Sequence, residues 1–109
     1  MVDSYKKIEM KKCLMKTMIN TMTILKTDLS LFENIVGWDF KENFITVSSE
    51  FGDINIHYVD ENNESNDVVL LMHGNPTWGY LYRNMINPLK ENGYRVIVPD
   101  LPGFGKSDK

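Results

Sequence analysis

The sequence predicts an α/β fold in which a β-hairpin leads into a βαβ unit. Three patterns carry that prediction. Two segments rich in β-branched and aromatic residues flank a glycine-containing turn, two continuous apolar runs follow, and a helical apolar repeat separates those runs. A right-handed βαβ crossover returns the chain parallel, so the expected sheet is mixed and antiparallel at its start.

The first strand is "FITVSS" (44–49), and the second is "INIHYVD" (54–60), which alternates Ile54, Ile56 and Tyr58 against Asn55, His57 and Val59. That alternation reads His57 as a half-exposed strand residue rather than a ligand. "EFGD" between them supplies Gly52 and Asp53 for a hairpin turn. "ENNESND" (61–67) has no apolar residue and reads as an exposed loop. "VVLLM" (68–72) and "YRVIVP" (94–99) are the runs expected of strands covered on both faces. Leu81, Met85 and Leu89, with Tyr82 and Ile86 alongside, give the intervening helix one apolar face. Burial of each such side chain contributes about 1.5 to 3 kcal/mol, enough to dock the helix on the sheet. Thr77 is the expected N-cap and Gly93 the C-terminal stop, and Pro88 predicts a kink or an early end near Asn87.

With 109 residues, 42% hydrophobic and 25% charged, the chain fits one soluble domain at most. Residues 1 to 26 carry six lysines against Asp3 and Glu9, whereas residues 27 to 109 carry six basic against thirteen acidic side chains. The segment expected to fold is thus acidic, which argues against a nucleic-acid partner. A single cysteine, Cys13, forms no internal disulfide and points to a reducing, cytoplasmic setting. No apolar run approaches the roughly 20 residues of a membrane span. Two histidines without a cysteine pair offer no zinc spacing, and no metal or cofactor is expected. Met15, Met18, Met22 and Leu25 are spaced for an amphipathic helix, but threonines weaken it, and residues 1–23 read as a loose or disordered extension before a domain at 24–109.

The terminal "VIVPDLPGFGKSDK" (96–109) invites a phosphate-loop reading that counting removes. The pattern G-x-x-x-x-G-K-[ST] requires its first glycine where this chain has Asp100, a carboxylate that repels phosphate.

Taken together, "HGNPTWGYLYRNMI" after one buried strand and "VIVPDLPGFGKSDK" after the next resemble the α/β-hydrolase fold, and within it the haloalkane dehalogenases. The likeness reaches upstream through "ILKTDLSLFENIVGWDF" and "INIHYVDEN", covering about residues 24 to 109. It implies the N-terminal part of such a sheet, truncated before the nucleophile elbow, with the cap, the acid and the catalytic histidine also absent. In the implied mechanism an aspartate displaces halide from carbon, and a histidine-activated water hydrolyses the resulting ester. Asn75 would offer its backbone N–H to an oxyanion, since Pro76 has none, and its side-chain amide to a departing halide. His73, Gly74 and Pro76 would support that loop, His73 as a brace rather than a catalyst. Trp78 is read as pocket lining or core, and Asn75 alternatively as a polar turn residue.

The resemblance further implies a cis Asn75–Pro76 peptide, an apolar small-molecule substrate for an intact protein, and a strand beyond Lys109 pairing beside Met72. That sheet edge would be open to association, and the isolated chain is expected to be poorly soluble and inactive. Epoxide hydrolase, β-lactone decarboxylase and esterase chemistry remain alternatives, as does a non-catalytic truncated product.

Overall fold

The computed structural model describes residues 23–109. The helix expected around Met15, Met18 and Met22, the extension containing it, and Cys13 lie outside the described residues. Leu25 is not helical, and its carbonyl accepts from Lys109 N at 2.8 Å.

Four strands form one sheet: β1 (Asn43–Ser49), β2 (Gly52–Glu61), β3 (Val68–Leu70) and β4 (Arg95–Pro99), with α1 (Ile86–Glu91) and two 3-10 turns at Leu29–Phe32 and Gly79–Tyr82. Their order is β1-β2-β4-β3. β1 and β2 pair antiparallel, β2 and β4 antiparallel, and β3 and β4 parallel, which is the mixed sheet the sequence predicts. Ser49 pairs with Gly52, so the hairpin loop is only Glu50 and Phe51, and Gly52, at φ +120°, already belongs to β2.

The register assigns the two sheet faces. Val59 lies opposite Val98 and Val69 beside Val96, so these residues share a face with His57 and Leu71. The 3-10 turns, α1 and the 99–109 loop cover this His57 face, and its core is Trp38, Val59, Leu71, Ile86, Val96 and Val98. Ile45, Val47, Ile54, Ile56, Ile97 and Leu70 fall on the opposite, Ile56 face. The expectation that β3 is covered on both faces is therefore corrected: Leu71 is buried, whereas Val68, Leu70 and Met72 are exposed.

The helix between β3 and β4 also differs from expectation. Pro88 cannot sit in a helix that continues through Asn84, because its ring would clash with that carbonyl. The chain breaks there into the 3-10 turn and α1, and Pro88 occupies the first turn of α1, where its missing N–H has no acceptor to lose. Ile86 is fully buried and Leu89 packs against the core, while Leu81 and Met85 face outward. Thr77 caps no helix. Gly93 does stop α1: at φ +91° it donates to Lys90 O at 3.0 Å and Tyr94 N donates to Leu89 O at 3.1 Å, the paired bonds of a Schellman cap.

Candidate functional site

Parallel pairing of β3 and β4 brings two turns together at the strands' carboxyl ends, residues 73–78 and 99–109. The first is closed by Thr77, whose N–H and Oγ1 both donate to Gly74 O, at 3.1 and 2.9 Å. Asn75–Pro76 is cis, as the resemblance implies, making this a type VI turn. His73 is buried and bridges the two turns: Nδ1 lies 2.8 Å from Gly74 O, and Leu101 N donates to Nε2 at 2.9 Å. An acceptor role at Nε2 leaves the proton on Nδ1, so His73 donates to Gly74 O.

This arrangement fixes the Gly74–Asn75 peptide. The Gly74 carbonyl is held by His73 and Thr77, and in a trans peptide the N–H points opposite the C=O. The Asn75 N–H is therefore aimed away from the clamp, and Asn75 itself is exposed. Gly74 has open space where a Cβ would sit, and the side chain of Asn75 makes no hydrogen bond among the described residues. Trp78 instead packs into an aromatic group, stacked on Tyr80 with ring centroids 5.5 Å apart and tilted against Trp38 at 5.0 Å.

The second turn is organised around Asp100, which is fully buried. Its Oδ1 accepts from Gly79 N at 2.7 Å, and its Oδ2 accepts from Lys106 N at 2.9 Å and lies 2.9 Å from His57 Nδ1. Burial alone would raise this carboxyl's pKa, but the bonds from His57, Lys106 and Gly79 outweigh it and the balance is downward. The glycine-rich loop thus does cradle an anion, and the anion is the chain's own Asp100. A Cβ on Gly105 would lie 2.4 Å from Asp100 Oδ2, and Gly105 has φ +52°. Gly105→Ala is expected to cost at least about 2 kcal/mol, read from denaturant midpoints; an unchanged midpoint would contradict this packing.

His57 is corrected from a half-exposed strand residue to a buried one, 1% exposed, on the covered face beside Val59. Its N–H donates to Ser107 Oγ at 2.8 Å, and Ser107 Oγ donates to Asp100 O at 2.7 Å. His57 Nε2 is buried without a partner among the described residues. Lys106 is buried too, its ammonium paired with Glu42. Asp108 accepts from Asn55 N at 2.8 Å and from Lys26. None of these partnerships was read from the sequence. The alternation of β2 could have shown His57 sharing a face with Val59, and Asp100 immediately after an apolar strand marked a carboxylate beside the sheet's end.

Asp60, Asp100 and Asp108 all titrate below the ordinary 3.8, Asp60 chiefly through its two bonds from Arg95 at 2.8 and 2.6 Å. A carboxylate whose folded pKa is depressed stabilises fully above its unfolded value and loses that contribution as pH falls through the folded one. Denaturant midpoints should be flat above roughly pH 5 and fall steadily below roughly pH 4. A midpoint that rose on acidification would refute the assignment. Among the described residues no cluster of histidine, cysteine and carboxylate side chains could hold a metal.

A family model described as alpha/beta hydrolase fold matches residues 67–109, the segment that holds both turns. A haloalkane dehalogenase structure from Paraglaciecola agarilytica superposes over 81% of this chain with a TM-score of 0.74 and 35% identity, and 30% of that chain is covered. The chain has the α/β hydrolase fold. Within this α/β hydrolase fold its sequence is haloalkane dehalogenase-like: it is 49% identical over 89 residues, 81% of this chain and 29% of the relative, to the haloalkane dehalogenase of Psychrobacter cryohalolentis. It is also 48% identical over 56 residues, 51% of this chain and 18% of the relative, to a cis-3-alkyl-4-alkyloxetan-2-one decarboxylase of Xanthomonas campestris. The chain spans about 30% of the length of its dehalogenase relatives. Among the described residues no helix is long and apolar enough to cross a membrane.

Proposed function

We propose that this chain is the N-terminal part of a haloalkane dehalogenase-like hydrolase and supplies the oxyanion and halide donors of its active site. The observation that carries the reading is the clamped Gly74 carbonyl, which turns the Asn75 N–H outward beside an unengaged side-chain amide. An aspartate from the rest of the enzyme would attack the substrate carbon, forming a C–O bond as the carbon–halogen bond breaks. The halide leaves with the bonding pair, and the neutral Asn75 amide can donate to it without a charged partner. Water then adds to the ester carbonyl after giving a proton to a histidine, and the Asn75 N–H would stabilise the oxyanion that forms.

The decarboxylase relative supports a second reading, because its identity is equally high across a shorter stretch. The longer match to dehalogenases, which extends upstream of both turns, favours the first. The test is a graft in which residues 24–109 replace the matching segment of the Psychrobacter cryohalolentis relative. Halide release from 1,2-dibromoethane by the folded graft is the expected result. A folded graft that releases no halide would overturn the reading.

A further inference from the structure

Met72 and Tyr82 stand ten positions apart, and the whole Asn75 turn lies between them. One hydrogen bond closes that loop: the Tyr82 hydroxyl donates to Met72 O at 2.6 Å. From the sequence Tyr82 is expected only on the apolar side of a helix. Its ring does pack against the core, at the end of the second 3-10 turn, and Met85 N donates to Tyr82 O at 2.8 Å. The hydroxyl is therefore presented by a rigid ring anchored at both its backbone and its face.

Three consecutive residues leading into Asn75 are each tied by a different group. Met72 O is held by Tyr82, the His73 ring by Leu101 N, and Gly74 O by His73 and Thr77. The ties on Gly74 fix how the Gly74–Asn75 peptide is turned, whereas the tie on Met72 fixes where the loop leaves the sheet. Orientation and position are separate requirements, because a correctly aimed donor still fails when the developing charge lies out of its reach. The Tyr82–Met72 bond lies at the surface, so without the hydroxyl a water would satisfy the carbonyl at little cost in stability. That water, unlike Tyr82, would not be anchored to the core.

We infer that Tyr82 is a positioning residue: by closing the loop at Met72 O, its hydroxyl sets the place from which the Asn75 donors meet the reacting group. The inference rests on the functional reading above and adds to it a residue outside the H-G-N-P turn. Tyr80 supplies an internal comparison. Its hydroxyl also donates to a backbone carbonyl, Val36 O at 2.7 Å, and its ring also packs against the core, but that bond ties the 3-10 turn to the segment before β1. The same atom can thus be deleted from two neighbouring tyrosines, and only one deletion frees the turn.

The test places Tyr82→Phe and Tyr80→Phe separately in the graft carrying residues 24–109. In Tyr82→Phe, kcat for halide release from 1,2-dibromoethane should fall about tenfold at unchanged KM, because these donors act on charge that develops only in the transition state. The fall stays short of the roughly 100-fold loss of a full 1 Å misplacement, since His73 and Thr77 still hold Gly74 O. The Thr77 amide, which donates to Gly74 O at 3.1 Å, should exchange with solvent deuterium at least about tenfold faster. Tyr80→Phe should change neither quantity. Equal turnover and equal exchange in Tyr82→Phe and its parent would overturn the inference, and so would the same losses in Tyr80→Phe. A lowered thermal midpoint at unchanged kcat would make Tyr82 a purely structural residue and overturn it as well. A graft that releases no halide, while Tyr82→Phe still speeds Thr77 exchange, would support the loop closure and sink the catalytic reading. An active graft indifferent to Tyr82→Phe would sink the loop closure alone.

Discussion

Replacing Asp100 with alanine in the grafted enzyme should cost about 3 to 5 kcal/mol of stability, far more than any change at an exposed carboxylate. The carboxylate accepts from three donors on three different segments: His57 of β2, Gly79 at the start of the second 3-10 turn, and Lys106 in the terminal loop. Removing it leaves those donors buried without an acceptor, at about 1 to 3 kcal/mol each before relaxation. A small cavity adds to the loss. Asp100→Asn retains one acceptor oxygen and fills the same space, so it should cost less than the alanine variant. Asp53→Ala, exposed on the hairpin, should stay within about 0.5 kcal/mol. Urea unfolding of the three variants measures these differences directly. Equal midpoints for Asp100→Ala and Asp53→Ala would refute the role given to Asp100.

The contrast between Asp100 and the strands shows what this sequence makes legible. Strand positions and the mixed topology follow from local signals: β-branched runs, a turn glycine, and a helix stop at Gly93. Each is satisfied within a few residues, so reading along the chain suffices. The partners of Asp100 lie up to 43 positions away in sequence, and no local periodicity links them. His57 was misread for the same reason. Its strand alternates cleanly, but alternation does not say which face receives cover, and here the 99–109 loop covers the side that looks more polar. Pro88 carried a true signal of a break whose position was misjudged, because the clash falls four residues before the ring. At the cis-proline turn the residue types H-G-N-P marked the loop, yet the direction of the Asn75 N–H could be derived only once the bonds to Gly74 O were known.

Asn75→Ala tests the chemical role of that turn. The substitution removes the side-chain amide and leaves the backbone N–H, so it addresses the proposed halide donor and spares the proposed oxyanion donor. The side chain is exposed and makes no bond within the described structure, so folding should be unaffected. Loss of a donor aimed at developing charge costs about 100-fold to 1,000-fold in turnover. If Asn75 were only a polar turn residue, the substitution would leave turnover unchanged, because Thr77 and His73 already hold Gly74 O. Asn75→Gln retains the amide but displaces it by a methylene, and should recover only part of the loss.

The most direct measurement of the central claim is the steady-state rate of halide release from 1,2-dibromoethane by the graft carrying residues 24–109, beside the same graft with Asn75→Ala. The account predicts turnover within about tenfold of the parent enzyme, falling at least about 100-fold in the variant at unchanged thermal midpoint. A folded graft without halide release, or one whose turnover is indifferent to Asn75→Ala, would contradict it.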